Sequence, residues 1–429
     1  MRESATTAER PGSTAADPSG AETPQRTEPA PCQAIRTSLE AEGPTAALDR
    51  LAASLDASGD YRALLDALLL KARFELGLPL VAPASLADLP EPERTKYEER
   101  YVEAIRLVGS RHLAAGDIPT AWAYYRVIGE NEPIAKAIRD YRPDPGSPDD
   151  GDRLGAVIEV AFNHGVEPRR GFELILENYG TCSAISAFEG LPGHDEALRR
   201  DCAERLILHL HRDLAANLRS DITGRGQLAP PAGATIAEIL AGRDWLVAED
   251  AYHIDVSHLA SVVRMSVLAG DPEAIALAAD LTEYGRRLSP RLQFEGVPPF
   301  ERIFDDHRMY LRALLNQDAD AAIAHFRGKI EATGDGQESA AASVAAQTLV
   351  NLLVRLGRFD EAIDVSSRHL AGLAEGSLFC PNIAQLCQQA GAWQRLADIA
   401  RDRGDLVNYA TALLLLGRES GAPPNAQAG

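Results

Sequence analysis

Apolar residues recur at intervals of three and four along most of this chain, a spacing that places them on one face of an α-helix. The clearest examples are Leu349, Leu352, Leu353 and Leu356 in one stretch, and Phe300, Ile303, Phe304, His307, Leu311 and Leu314 in another. No sustained alternation of apolar and polar residues, rich in β-branched side chains, occurs in the sequence, so a sheet is not expected. The pattern predicts an all-α protein.

A short turn motif separates several of these predicted helices. It consists of Gly, usually Asp, and the first residue of the next apolar helix. It occurs at Gly59-Asp60-Tyr61, Gly116-Asp117-Ile118, Gly270-Asp271-Pro272, Gly357-Arg358-Phe359 and Gly404-Asp405-Leu406, with a degenerate copy at Gln317-Asp318-Ala319. Glycine favours the end of one helix, and an acidic residue favours the start of the next. The copies lie 57, 154, 47, 40 and 47 residues apart, and the longest gap fits about three more units. This spacing predicts stacked antiparallel helix pairs.

One of these pairs carries a more specific pattern. Gly109 precedes the turn at Gly116, and Ala121 and Tyr125 follow it on the next predicted helix. The segment 105–128 thereby resembles the tetratricopeptide-repeat family, in which a small residue marks the helix crossing and Ala and an aromatic residue occupy the second helix. The resemblance implies an α-solenoid fold and a role in binding a protein or peptide.

Two other segments resemble the family only in part. The segment 349–370 keeps Gly357, Phe359 and Ala362, but has Val350 at the crossing and Ser366 and His369 further along; the segment 316–330 keeps Ala322 and Phe326. The resemblance covers about half of the predicted helical region. Some members of the family bind peptide termini with Lys, Arg and Asn on their first helices. We find no such set here, so that binding mode is not carried over.

Composition divides the chain into five segments. Residues 1–31 contain no Leu, Ile, Val, Phe, Tyr or Trp and are predicted to be a disordered tail, because such a segment has nothing to bury. Residues 140–153, DYRPDPGSPDDGDR, predict a linker between a helical block at 34–139 and a larger one at 154–417. The polar residues 418–429 predict a second disordered tail.

The net charge and the cysteine content indicate which kinds of partner and which cellular compartment suit the protein. The net charge of −20 opposes general binding to nucleic acid or to an anionic membrane. The first 31 residues lack the apolar core of a signal peptide, and no apolar run approaches the length of a membrane span. Five scattered cysteines are not a disulfide framework. These features favour a cytoplasmic protein, and no cofactor is predicted.

The densest polar cluster contains His253, Asp255 and His258. A second group, the adjacent Asp306 and His307, lies on a later predicted helix. Two imidazoles and a carboxylate this close suit zinc or another divalent metal, or an acid–base pair. The alternative is structural. Asp255 is then an N-cap, and His307, which lies in an apolar stripe, is a hydrogen-bonded core residue. If the two helices are parallel neighbours in one layer, we expect the five side chains to approach one another and form a polar pocket.

Cys182 is a further candidate, because it follows Gly180 and Thr181 at the predicted start of a helix. A thiol there is exposed to the positive end of the helix dipole, which favours the nucleophilic thiolate. No phosphate-binding loop, zinc-protease or serine-hydrolase motif occurs in the sequence.

These observations leave two functions open. The first, which we prefer, is a non-catalytic helical-repeat scaffold that binds a protein or peptide partner on its concave face. The second is an enzyme or metal-binding protein that uses the histidine and aspartate cluster of residues 250–310.

Overall fold

The prediction of an all-α protein is confirmed. We describe residues 29–81, 90–144, 146, 149–193, 195–332 and 340–419 in a computed structural model of the chain. Within these ranges the regular structure is helical, and the only β-type pairing is an isolated bridge between Glu295 and Arg302. The chain divides into two compact units, with the boundary between Ala137 and Ile138.

The first unit is a series of helices in which each described helix packs against the next. These are α1 (Ala30–Glu42), α2 (Pro44–Ser58), α3 (Tyr61–Glu75), α4 (Glu93–Ala114) and α5 (Ile118–Tyr125). Helix α6 (Glu132–Asp140) contains the boundary between the units.

The second unit holds the remaining helices. They are α7 (Asp150–Ile158), α8 (Pro168–Glu189), α9 (Glu196–Gly224), α10 (Ile236–Leu240), α11 (Val256–Met265), α12 (Pro272–Arg287), α13 (Ile303–Leu314), α14 (Ala319–Ala332), α15 (Ala340–Arg355), α16 (Phe359–His369), α17 (Ile383–Ala390), α18 (Trp393–Arg403) and α19 (Leu406–Glu419). From α11 to α19 each helix packs against its successor. The apolar faces of α13–α19 form a continuous core that includes Phe326, Leu349 and Leu396.

The turn motif forms the predicted helix ends. Gly59, Gly116, Gly357 and Gly404 all have positive φ, the left-handed conformation that glycine adopts without strain. Asp60 and Asp117 then accept hydrogen bonds from the backbone N–H three residues on, as N-caps do. Gly270 does not have a positive φ. Its neighbour Asp271 still acts as the N-cap of α12, because its carboxylate accepts a hydrogen bond from the Ala274 N–H.

The helix crossing expected at Gly109 is also present. A Cβ atom at Gly109 would lie 2.7 Å from Cε2 of Tyr125, so only glycine allows α4 and α5 to pack this closely. The same contact recurs in the second unit, where a Cβ atom at Gly285 would lie 2.3 Å from Cδ1 of Phe304.

Three predicted boundaries need correction. Residues 30–31 belong to α1 and not to a tail, because Pro31 suits the first turn of a helix. Helix α7 begins at Asp150 inside the predicted linker, where acidic residues suit a helix N-terminus. Helix α19 continues to Glu419. The rest of the two predicted tails, residues 1–28 and 420–429, lies outside the described residues.

The interval between Gly116 and Gly270 does not contain three more units of equal size. It holds α9, which is 29 residues long, and the five-residue α10. The consecutive packing of helix pairs is therefore regular in parts of the chain and irregular in this interval.

Candidate functional site

His253 lies in the loop before α11 and joins that loop to two helices. Its backbone N–H donates to the Tyr284 hydroxyl at 2.8 Å, and its ring Nδ1 is 3.2 Å from the same oxygen. Its Nε2 is 3.3 Å from Asp221 Oδ2. Burial raises the pKa of Tyr284 to about 12, so the hydroxyl stays protonated at neutral pH. The histidine therefore ties its loop to α9 and α12.

Asp255 is the N-cap of α11, as expected for the structural alternative. Its Oδ1 accepts hydrogen bonds from the backbone N–H groups of Ser257 at 2.8 Å and His258 at 3.1 Å. Hydrogen bonding from the Ser257 hydroxyl, followed by these backbone bonds, holds the pKa of the carboxyl below its usual range. The carboxylate therefore stabilises the N-terminus of α11, and His258 lies in the first turn of that helix.

Helix α13, which carries Asp306 and His307, packs against α11. His307 is only 2% exposed. Its Nδ1 is 2.7 Å from the Ile303 carbonyl oxygen, and its ring stacks on Phe300 with centroids 4.0 Å apart. Burial lowers the pKa of His307 to about 4, and the charge of Arg264 on α11 adds to this. His307 is therefore a neutral core residue at physiological pH.

Asp306 is fully buried and lies at the centre of a separate polar network. Its Oδ1 is 2.8 Å from His325 Nε2, and its Oδ2 accepts a hydrogen bond from Lys329 Nζ at 3.2 Å. Lys329 also pairs with Glu301. The network ties α14 to the start of α13.

Sequence reasoning missed the α14 half of this network. His325 and Lys329 are four residues apart, which places both on one face of a helix. That spacing was the available signal, but nothing local to α14 indicates that a buried carboxylate lies opposite.

The candidate residues bond mainly to partners outside the predicted set, apart from the bond from the His258 backbone N–H to Asp255. His253 bonds to Asp221 and Tyr284, Asp255 caps α11, and Asp306 bonds to His325 and Lys329. Within the described ranges, no group of three or more His, Cys, Asp or Glu side chains is arranged to hold a metal ion. The contacts that these residues make are those of helix caps and interhelical bonds.

Cys182 is exposed and follows a break in α8. Gly180 interrupts the helix with φ 79° and ψ −177°, so the thiol lies in the first turn of the second half, as predicted. The buried Cys202 differs, because burial raises its thiol pKa to about 12.

A groove of mixed apolar and polar lining at the carboxyl end of the second unit was not predicted. It has a volume of about 280 Å³ and lies among α16, α17, α18, α19 and the loop 370–382. Leucine and isoleucine side chains form its walls, namely Leu370, Leu373, Leu378, Ile383, Leu396 and Ile399. Its lining also includes the polar residues Ser366, Asn382, Arg403, Asp405 and Asn408. We call this cavity the carboxyl-terminal groove.

A second cavity lies in the first unit, between α3 and α4, with a volume of about 230 Å³. Its basic lining residues form ion pairs. Lys71 pairs with Asp49 and Glu75, and Arg100 pairs with Glu103. The carboxyl-terminal groove is the larger of the two.

No family model, curated protein or solved structure matches this chain. None of the helices in the described ranges is long and apolar enough to cross a membrane.

Proposed function

We propose that the chain is a cytoplasmic helical-repeat scaffold of the tetratricopeptide type, and that it binds a protein or peptide partner in the carboxyl-terminal groove. The observation that carries the proposal is the groove itself, an open cavity that combines leucine and isoleucine side chains with polar groups. Binding sites in proteins have this character, with an apolar lining and a few polar groups that orient the ligand.

The size of the groove favours a segment of polypeptide over a large cofactor. Its volume of about 280 Å³ lies at the lower limit of roughly 300–1,000 Å³ for small-molecule pockets. A partner that inserts one or two large apolar side chains would fill the cavity. Polar groups in the lining are already held by the protein, since Asn408 Nδ2 donates to Asp405 Oδ2 and Arg403 donates to the Ser367 carbonyl oxygen.

The surrounding helices support this role. The wall residues Leu370 and Leu396 are buried in the core shared by α13–α19, so the floor of the groove is fixed before a partner binds. A preformed site loses less conformational entropy on binding than a flexible one.

The experiment is a selection of peptides from a displayed library on the wild-type protein, followed by calorimetry. Leu373→Arg and Leu378→Arg place a charge in the groove from the loop 370–382, where they disturb helix packing least. Selected peptides should bind the wild type and lose at least tenfold in affinity, which is about 1.4 kcal/mol, for both variants.

Leu228→Arg is the matched control, because Leu228 is 92% exposed and does not line the groove. It should bind the selected peptides as the wild type does. A selection that yields no binder sensitive to Leu373→Arg and Leu378→Arg, while circular dichroism shows both variants folded, would contradict the proposal.

A further inference from the structure

A cluster of arginine side chains lies where α12 packs against α13. Its members are three or four residues apart along each helix, a spacing that places them on one side of that helix. The cluster contains four basic and two acidic residues, namely Arg286, Arg287, Arg302 and Arg308, with Glu283 and Asp305. We call these six residues the α12–α13 arginine cluster.

The carboxylate of Glu283 is shared by three arginines. Its Oε2 lies 2.9 Å from Arg286 Nη1 and 3.3 Å from Arg308 Nε. Its Oε1 lies 3.2 Å from Arg287 Nε. Since Arg308 belongs to α13 and the other residues to α12, this carboxylate holds the two helices together.

The carboxylate of Asp305 is shared by two arginines. Its Oδ1 lies 2.8 Å from Arg286 Nε, and its Oδ2 lies 3.7 Å from Arg302 Nη1. Among the described residues, no other carboxylate lies within ion-pairing distance of the four arginines. Four guanidinium groups, which stay protonated at neutral pH, thus meet two carboxylates. The cluster therefore has a surplus of two positive charges.

Some guanidinium nitrogens remain available to a ligand. The Arg286, Arg287 and Arg308 side chains are 37%, 35% and 32% exposed. Nη1 and Nη2 of Arg308 have no hydrogen-bond partner among the described residues and lie at the surface. Burial lowers the pKa of Arg308, and the positive charges of Arg286 and Arg312 lower it further. An anion beside Arg308 would relieve this repulsion.

We propose that the α12–α13 arginine cluster binds a phosphomonoester group, the anion that phosphorylated metabolites and phosphorylated side chains share. Such a group carries a charge of about −1.5 to −2 at pH 7, which matches the surplus of the cluster. Guanidinium groups donate pairs of parallel hydrogen bonds to phosphate oxygens. A carboxylate or a phosphodiester carries a single negative charge and would neutralise only half of the surplus.

The net charge of −20 does not oppose binding of a compact anion at this cluster. The Debye length is about 8 Å at physiological ionic strength, so distant carboxylates act weakly and the local surplus dominates. An extended polyanion such as a nucleic acid must also pass over acidic parts of the surface. A single phosphate group contacts the cluster alone.

The first test is calorimetry of the full chain at pH 7.5 with methyl phosphate and methyl sulfate. The two probes have nearly the same shape, but methyl sulfate carries only one negative charge. The wild type should bind methyl phosphate about tenfold more tightly than methyl sulfate. Arg286→Gln and Arg308→Gln should each weaken the binding of methyl phosphate by about tenfold, because hydrogen bonds to charged groups contribute about this much.

Arg395→Gln is the matched control. Arg395 pairs with the two carboxylates of Asp360 and Asp364, so its surroundings have surplus negative charge. This variant should bind methyl phosphate as the wild type does. Leu378→Arg should also bind it as the wild type does, so failure here is distinguishable from failure of the proposed peptide binding.

Glu283→Gln separates ligand binding from a purely structural role of the cluster. The substitution removes a carboxylate that competes with the ligand and raises the surplus to three positive charges. Binding of methyl phosphate should tighten by about tenfold, whereas disturbed helix packing would only weaken it. Circular dichroism checks that each variant is folded.

A phosphoserine peptide distinguishes the two sources of the group. Binding tighter than that of methyl phosphate supports a phosphorylated polypeptide, and equal binding supports a small phosphorylated molecule. The proposal is wrong if methyl phosphate does not bind, or if methyl sulfate binds equally tightly. It is also wrong if Arg286→Gln and Arg308→Gln change the affinity no more than Arg395→Gln does, or if folded Glu283→Gln does not bind more tightly than the wild type.

Discussion

The buried imidazole of His307 should make the folded state sensitive to mild acid. Burial lowers the pKa of His307 to about 4, whereas an exposed histidine has a value near 6.5. As the pH falls through 6.5, the unfolded chain binds a proton at this residue, but the folded chain does not until the pH nears 4. The stability that neutral His307 contributes is therefore complete at pH 7.5 and is lost between pH 6.5 and 4.

The size of the effect follows from the two pKa values. The full difference corresponds to about 3 kcal/mol, at 1.36 kcal/mol per pKa unit. Between pH 7.5 and 5.5 the loss amounts to about 1.3 kcal/mol. Both pH values lie above the isoelectric point of 5.0, which limits association caused by low net charge.

The assay is urea unfolding of the wild type and of His307→Leu at pH 7.5 and 5.5, followed by circular dichroism. The leucine variant fills the same core position without a titrating group, so its free energy of unfolding should fall by about 1.3 kcal/mol less than that of the wild type over this interval. Leu311→Ala on the same helix is the control, because it weakens the core at both pH values and should keep the pH dependence of the wild type. Equal pH dependence of the wild type and His307→Leu would refute the reasoning.

Three other predictions concern the core and the candidate site. Asp306→Asn removes the charge and one of the two acceptor oxygens of a fully buried carboxylate that pairs with Lys329, and it should lower the free energy of unfolding by about 3–5 kcal/mol, whereas the half-exposed Asp305→Asn should cost less than about 1 kcal/mol; an equal effect would contradict the network. Gly109→Ala should destabilise by about 1–3 kcal/mol through its clash with Tyr125, whereas Gly328→Ala, which has open space around it, should stabilise by about 0.8–1 kcal/mol. Elemental analysis of the purified protein should find no stoichiometric zinc, and one zinc per chain would favour the metal-binding alternative.

Local signals in the sequence account for much of the fold. The positive φ of Gly59 and Gly116 and the capping by Asp60 and Asp255 depend on residues within one helical turn, so the turn motif alone predicts them. The close approach of Gly109 and Tyr125 was expected from the family resemblance, which places a small residue at the helix crossing and an aromatic residue on the second helix. Extrapolation by equal spacing was wrong between Gly116 and Gly270, because helix length there is set by packing and not by a repeated turn.

The candidate site was less predictable, because its contacts join distant parts of the chain. The sequence places Asp306 beside His307, but the two side chains leave α13 in different directions. His307 contacts Phe300 and Ile303, and Asp306 contacts a helix that begins at Ala319. Nothing in the spacing of His253 and Asp255 indicates that Asp221 and Tyr284 are the partners of the histidine. The carboxyl-terminal groove depends in the same way on the packing of four helices.

Hydrogen exchange measured by mass spectrometry, with and without a selected peptide, tests the proposed function most directly. Exchange reports local opening of backbone hydrogen bonds, so a bound peptide should slow it in the segment that forms its site. The account predicts that protection is confined to residues 366–408, which line the groove, and is lost with Leu378→Arg. Protection centred on residues 250–310, with none at 366–408, would contradict it.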